Sequence, residues 1–416
     1  MTQGFLFWLF LCYDGMMKLF RSAVYLDYAA TTPIDRRVWR VMKPYFSKCF
    51  YNPSSIYSGG VEAKKKLEEC RVSVTKILNA QSYEIFFTGS GTESINLSIV
   101  GLIKKYNENK LGILPEIITC AIEHPAVLET CRQLERENLV KVKYLPVNSD
   151  GEVKIKELDG LLNEQTALVT IAYANNEIGV IQPIKEIARR VKLWKMDHHK
   201  EISDYPFVHT DASQAVNYCV LDREKLGVDL MTVDGQKVYG PKGVGVLMSR
   251  KFVPLQAVIC GGGQEGGKRA GTENLPAIVG LAEALKLVRQ DWEKESERLI
   301  ELRDWFVDEF VKIFPRGKIS GSLKNRLPNN INVCFPDVDA EFLVLELDAN
   351  NIACSSVSAC KSINGEAESY VIKAINDSEE CSRSSLRLSM GRGTRKCDLQ
   401  RVLKVLPKLV EKASIK

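Results

Sequence analysis

Through the first two thirds of the chain, short apolar runs rich in β-branched and aromatic residues alternate with longer stretches whose apolar positions recur at helical spacing. The runs Glu84–Thr88, Ile117–Thr119, Ala167–Tyr173, Phe207–Thr210, Leu230–Val233 and Val244–Met248 predict strands. Between them Gly60–Asn79, Pro125–Glu137 and Ile184–Trp194 predict helices. In the first of these, Val61, Leu67, Val74 and Leu78 fall near one face among lysines and glutamates. Strands alternating with helices predict an α/β domain with a largely parallel sheet. From about Pro276 the pattern changes to a long charged amphipathic helix, Ile278 to about Phe314. The runs Asn330–Phe335, Phe342–Leu347 and Ser384–Ser389 and a terminal helix follow. This predicts a smaller α+β domain over 276–416, beside a large domain over 25–275 whose first segment contributes to the small one.

Composition narrows the function classes. The net charge is only +5 over 416 residues, and no Lys/Arg block is interleaved with aromatics, so nucleic acid is not an implied ligand. Twelve cysteines at irregular intervals with no C-x-x-C pair, and only four histidines, argue against a zinc site and against a secreted disulfide framework. The expectation is a cytoplasmic protein with reduced thiols, most of them small buried hydrophobes. Residues 1–24 form an N-terminal extension. Its apolar run Gly4–Tyr13 is too short to span a membrane and lacks a basic flank or a cleavage site, and Met16 and Met17 offer alternative starts.

The chemistry concentrates between His209 and Gly245. One predicted strand ends in HTDASQ at Asp211, and the next ends in DGQKVYGPKGVG with Lys237 in a polar, glycine-rich turn. Ligands of α/β proteins bind at the carboxyl ends of parallel strands. An amine there forms a Schiff base with an aldehyde cofactor, and a carboxylate one strand away keeps a pyridine nitrogen protonated. On spacing alone, a helix-capping Asp211 and a solvated Lys237 are the better reading.

The surrounding motifs decide between them. YLDYAATTP (Tyr25–Pro33), NPSSIYSGG (Asn52–Gly60), FTGSGTESINL (Phe87–Leu97), EHPAVLETC (Glu123–Cys131) and ANNEIGVIQPI (Ala174–Ile184) precede that stretch or cross into it. GGGQEGGKRAGTEN (Gly261–Asn274), SSVSAC (Ser355–Cys360) and SSLRLSMGRGT (Ser384–Thr394) follow it. From Tyr25 to about Lys412 the chain resembles the cysteine desulfurases of the NifS/IscS group, within the class V aminotransferase-like enzymes. The resemblance implies the type I fold of pyridoxal-phosphate-dependent transferases, with a mostly parallel seven-stranded sheet in the large domain and a smaller α+β domain. It implies that Lys237 carries pyridoxal 5'-phosphate, that Asp211 pairs with the ring nitrogen and Gln214 with the phenolic oxygen, and that His124 stacks on the ring and shuttles protons. Gly91 and Thr92, opening a helix, and Gln236 would hold the phosphate, with Thr272 reaching that of a neighbouring subunit in a homodimer. Asn175 and Arg387 would bind the carboxylate of L-cysteine. Cys360, on a small, polar loop beside Lys361, would take the sulfur as a persulfide and leave L-alanine. Cys354, six residues earlier, is the rival thiol, but it reads as a strand end.

Three departures from the family pattern stand out. Asp234 and Gln236 replace the usual Ser-Gly-His-Lys serine and histidine, and an ionised Asp234 would repel phosphate, which puts cofactor affinity in question. Tyr57 stands where histidine is usual, and Val357 replaces a glycine of the cysteine loop. The resemblance further implies a sulfur acceptor, either an iron–sulfur scaffold or a tRNA-thiolation partner. Two alternatives remain at this level: another pyridoxal-phosphate aminotransferase or lyase, which would not need Cys360, and a cofactor-poor platform for a sulfur-transfer partner.

Overall fold

The computed structural model describes residues 23–109, 112–356, 368–375 and 379–414. Gly4–Tyr13, Val357, Cys360 and Lys361 lie outside the described residues. The chain forms two compact units. One is Ala29–Glu297 with Gly321–Pro328; the other comprises the described residues up to Tyr28, Arg298–Ser320 and the chain from Asn329 on.

Strand β1 (Val24–Tyr25) belongs to the smaller unit. The larger unit holds β2 (Ile85–Thr88), β3 (Glu116–Thr119), β4 (Lys141–Tyr144), β5 (Thr166–Thr170), β6 (Phe207–Asp211), β7 (Leu230–Asp234) and β8 (Gly245–Ser249). They form one seven-stranded sheet in the order β2-β8-β7-β6-β5-β3-β4. β8 runs antiparallel to both its neighbours and every other pair is parallel. Every residue of β3, β5, β7 and β8 is buried, as expected of a sheet covered on both faces. Helix Gly91–Asn109 covers part of it, setting Ile95, Leu102, Ile103 and Tyr106 in one core with Ile117, Leu168, Phe207, Leu230 and Leu247. Burying each such side chain contributes about 1.5–3 kcal/mol. The helices Ser58–Leu78, Pro125–Arg136 and Ile184–Asp197 form where the apolar spacing places them.

This topology collects the ends of β2, β3, β5, β6 and β7 along one edge. The turns that follow them, at 89–90, 120–124, 171–175, 212–214 and 235–237, carry most of the polar motifs.

Helix Leu275–Ile313 carries the chain into the smaller unit. There β9 (Lys318–Ile319), β10 (Asn330–Cys334), β12 (Ser355–Ser356) and β13 (Ser385–Ser389) form an antiparallel sheet in the order β12-β13-β10-β9, and β11 (Ile352–Ala353) pairs with β1. The run Phe342–Leu347 lies inside helix Ala340–Ala349, which Asp339 caps by accepting from the N–H groups of Glu341 and Phe342. One expectation needs correction. Cys334 and Cys381 are joined by a disulfide, so not all thiols are reduced; the two ends come together because helix Glu379–Arg383 places Cys381 against β10 with 5.5 Å between the Cα atoms. Cys70, Cys120, Cys131 and Cys219 are free and buried, as expected. Among the described residues no helix is long and apolar enough to cross a membrane.

Candidate active site

β6 ends at Asp211, whose Oδ1 accepts from the N–H of Ser213 at 2.9 Å, closing the turn that follows the strand. Its other carboxylate oxygen bonds no group among the described residues. On the adjacent strand, β7 ends at Asp234 and passes into a single 3-10 turn, Gly235–Lys237. The Lys237 Nζ donates to the carbonyls of Ala29 (2.8 Å) and Ala30 (2.6 Å). Gln214 Nε2 also donates to the Ala29 carbonyl, at 2.9 Å. Thr32 ties the same segment down: its Oγ1 donates to the Gln236 carbonyl at 2.7 Å and accepts from the Tyr239 N–H at 2.8 Å. The lysine amine is thus positioned by backbone carbonyls of the segment that precedes Thr32.

After β3 the chain turns through Cys120–His124. His124 caps helix Pro125–Arg136, with its Nδ1 accepting from the Ala126 N–H at 3.1 Å. A ring nitrogen that accepts carries no proton, so the neutral ring is protonated at Nε2. Burial pulls the His124 pKa down; the carboxylates of Asp211 and Asp234 oppose this and the Lys237 ammonium adds to it. With its pKa below the ordinary imidazole value, the ring is neutral at pH 7.

Glu123 is 1% exposed, and its Oε1 accepts from the Ala172 N–H (2.8 Å) and the Cys120 thiol (3.2 Å). Burial pushes its pKa up to about 8, against those two hydrogen bonds and with a smaller upward push from Asp211. At neutral pH it is an uncharged acid. Sequence reasoning passed over Glu123; the only available signal was its place beside His124.

Asn175 is buried after β5. Its Oδ1 accepts from the N–H groups of Glu177 and Ile178 (2.8 and 2.9 Å), and its Nδ2 donates to the Ile122 carbonyl at 2.7 Å. One amide hydrogen is left over for a ligand. His209, inside β6, bonds Thr170 at 2.8 Å and Thr232 at 3.0 Å; burial pulls its pKa down to about 3 and it serves the sheet.

At the start of helix Gly91–Asn109, Ser90 Oγ accepts from the Glu93 N–H at 3.1 Å, and the Thr92 N–H has no acceptor among the described residues. Asp234 Oδ2 accepts from the Gly91 N–H at 3.2 Å and from Gln236 Nε2 at 3.3 Å, and its Oδ1 accepts from the Gln236 N–H at 3.0 Å. Thr272 is exposed. Its segment is anchored by Glu265, which accepts from Arg71 at 2.8 and 2.9 Å and from the Phe87 N–H at 2.9 Å.

This donor set fits pyridoxal phosphate at the ring: Lys237 offers an amine, Asp211 an acceptor for the ring nitrogen, Gln214 an amide and His124 a neutral ring. Thr92 offers an N–H and a hydroxyl to the phosphate. Gly91 and Gln236, the other expected donors, bond Asp234 instead.

In the smaller unit, Arg387 lies in β13, 7% exposed, with Nη2 donating to Asp27 Oδ1 at 2.7 Å. Cys354 sits between β11 and β12. Burial pushes its thiol up to about 12, Asp27 adds to the push, and Arg387 opposes it. It is no thiolate at neutral pH.

Residues 24–402 match the family described as aminotransferase class-V. Cysteine desulfurase IscS of Dictyoglomus turgidum is 42% identical over 392 residues, covering 94% of this chain and 95% of that protein. Cysteine desulfurase IscS of Methanosarcina thermophila is 42% identical over 391 residues, covering 94% and 93%. A solved NifS-like protein superposes with a TM-score of 0.84 at 34% identity, covering 94% of this chain and 99% of that one. With matches of this length in both sequence and structure, the chain belongs to the class-V aminotransferase family, in its NifS/IscS-like group of cysteine desulfurases.

Proposed function

We propose that the protein is a pyridoxal-phosphate-dependent cysteine desulfurase that converts L-cysteine to L-alanine and passes the sulfur on as a persulfide of Cys360. The observation that carries this reading is the pairing of a backbone-held Lys237 amine with the Asp211 carboxylate at neighbouring strand ends, both beside a neutral His124. When bound, pyridoxal phosphate supplies an electron sink that labilises bonds at the amino acid's α and β carbons. Asp211 would accept the ring N–H and keep that nitrogen charged, and Gln214 would donate to the phenolic oxygen. The Lys237 amine would take the substrate's α-proton, and His124, protonated at Nε2, would exchange protons with the substrate. Arg387 and the spare hydrogen of Asn175 hold the substrate carboxylate. The Cys360 thiolate attacks the substrate's Sγ; an S–S bond forms, the C–S bond breaks, and its electron pair stays with the β carbon, which is then protonated to give alanine.

A homodimer is part of this reading. Trp39, Phe46, Phe50 and Ile56 are 50%, 57%, 66% and 95% exposed, an apolar surface suited to a second copy, and Thr272 is exposed to reach its phosphate. The smaller domain brings the Cys360 segment, and the acceptor is a cytoplasmic iron–sulfur scaffold or a tRNA-thiolation protein. The test is an absorbance scan before and after L-cysteine and a thiol reductant, with sulfide and alanine assayed. A band near roughly 400 nm that shifts with cysteine, with equal sulfide and alanine, is expected. A band without sulfide would move the assignment to another pyridoxal enzyme, and no band to a non-catalytic platform.

A further inference from the structure

The start of helix Gly91–Asn109 is the natural seat of an anion, because N–H groups with no intrahelical partner converge there and the helix dipole is positive. In this chain a carboxylate already sits on it. Asp234 is 8% exposed and takes the Gly91 N–H. Gln236 holds it with two further donors, its backbone N–H and its side-chain amide. The approach is close enough to depend on the glycine: a Cβ on residue 91 would lie 3.0 Å from both Cβ and Oδ2 of Asp234. Two of the three groups on this chain suited to hold the cofactor's phosphate, Gly91 and Gln236, are therefore spent on the chain's own carboxylate. Of the three, Thr92 is the one whose N–H has no acceptor among the described residues.

A phosphate and a carboxylate cannot share one cradle without strong like-charge repulsion, which burial strengthens. We propose that Asp234 is a built-in anion at the cofactor's phosphate seat, an intramolecular competitor that must leave Gly91 before the phosphate docks. The inference rests on the cofactor reading above. Its consequence is a protein that binds pyridoxal phosphate weakly and exchanges it with the free pool. Asp234 acts on the phosphate through the Gly91 cradle; its charge also acts on His124, an effect common to both ligands in the test below.

The experiment uses the full chain stripped of cofactor and titrated with pyridoxal phosphate, followed by tryptophan fluorescence and by the aldehyde absorbance band. It compares the parent with Asp234→Ser and with the near-isosteric Asp234→Asn, which guards against a folding defect in the serine variant. Both variants are expected to bind pyridoxal phosphate at least about tenfold more tightly, which corresponds to about 1.4 kcal/mol. A parallel titration with pyridoxal, which lacks the phosphate, is expected to give dissociation constants within about twofold for all three proteins, since no charge is left for Asp234 to oppose. Equal affinities for pyridoxal phosphate would overturn the proposal while leaving the desulfurase reading intact, and so would a gain of the same size for pyridoxal. If neither the parent nor the variants develop the band, the cofactor reading itself fails and takes this inference with it.

Discussion

Glu123→Gln tests the electrostatics beside His124 with a change of a single atom. Glutamine has the shape of a protonated glutamate and keeps an oxygen for the Ala172 N–H and the Cys120 thiol. In the folded protein Glu123 titrates at about 8, against an ordinary value of 4.5. Between those two values the native state holds a proton that the unfolded chain has released. Stability therefore falls as pH rises through this window, by about 1.4 kcal/mol per pH unit. Glutamine takes up no proton, so the variant escapes the penalty. Relative to the parent, it is expected to gain about 3 kcal/mol of stability between pH 5.5 and pH 7.5. Urea denaturation of both proteins across that range, with cofactor saturating and equal, measures the difference, and pH effects from other groups cancel in it. A difference that does not change with pH would refute a neutral Glu123.

Three further outcomes follow from the geometry. Cys354→Ser is expected to keep sulfide release, because its thiol is held protonated, whereas Cys360→Ser should abolish sulfide and persulfide while retaining the cofactor band; loss of sulfide release in the first would make Cys354 the nucleophile. Glu265→Ala leaves the buried Arg71 guanidinium with only the half-exposed Glu68 carboxylate and the Ile85 carbonyl, and should destabilise the larger unit by about 3 kcal/mol, read as a lowered urea midpoint. Arg387→Lys keeps a charge for Asp27 but loses the planar fork, so KM for L-cysteine should rise about tenfold with kcat changed far less; an unchanged KM would remove Arg387 from the substrate.

The sheet was legible where burial on both faces left an apolar run, as in Val244–Met248. It was illegible at β4, whose Lys-Val-Lys-Tyr lies on the sheet edge with its lysine and tyrosine ends in water and shows no apolar run. Phe342–Leu347 illustrates the opposite ambiguity, since six apolar-rich residues suit a strand or a helix and the Asp339 cap decides between them. Asp211 and Lys237 were readable because their residue types carry the chemistry. The carbonyls of Ala29 and Ala30 that aim Lys237 were not, because a backbone acceptor leaves no mark on residue identity. The identity of Asp234 raised the question of repulsion, but only the fold shows that it turns toward Gly91. The Cys334–Cys381 pair, 47 residues apart, has no spacing signature at all.

That bond closes part of the chain into a covalent ring. Cys354 and Cys360 both fall inside it by their place in the sequence, so that stretch is tethered at both ends. A protease that cuts once anywhere within the ring produces two polypeptides that stay attached. Their mass is conserved on a non-reducing gel and separates into two bands only after reduction. Since Cys334 and Cys381 are 0% and 1% exposed, a reductant that strips an accessible persulfide meets this bond far more slowly. The molecule thus keeps a segment cleaved within the ring attached instead of shedding it.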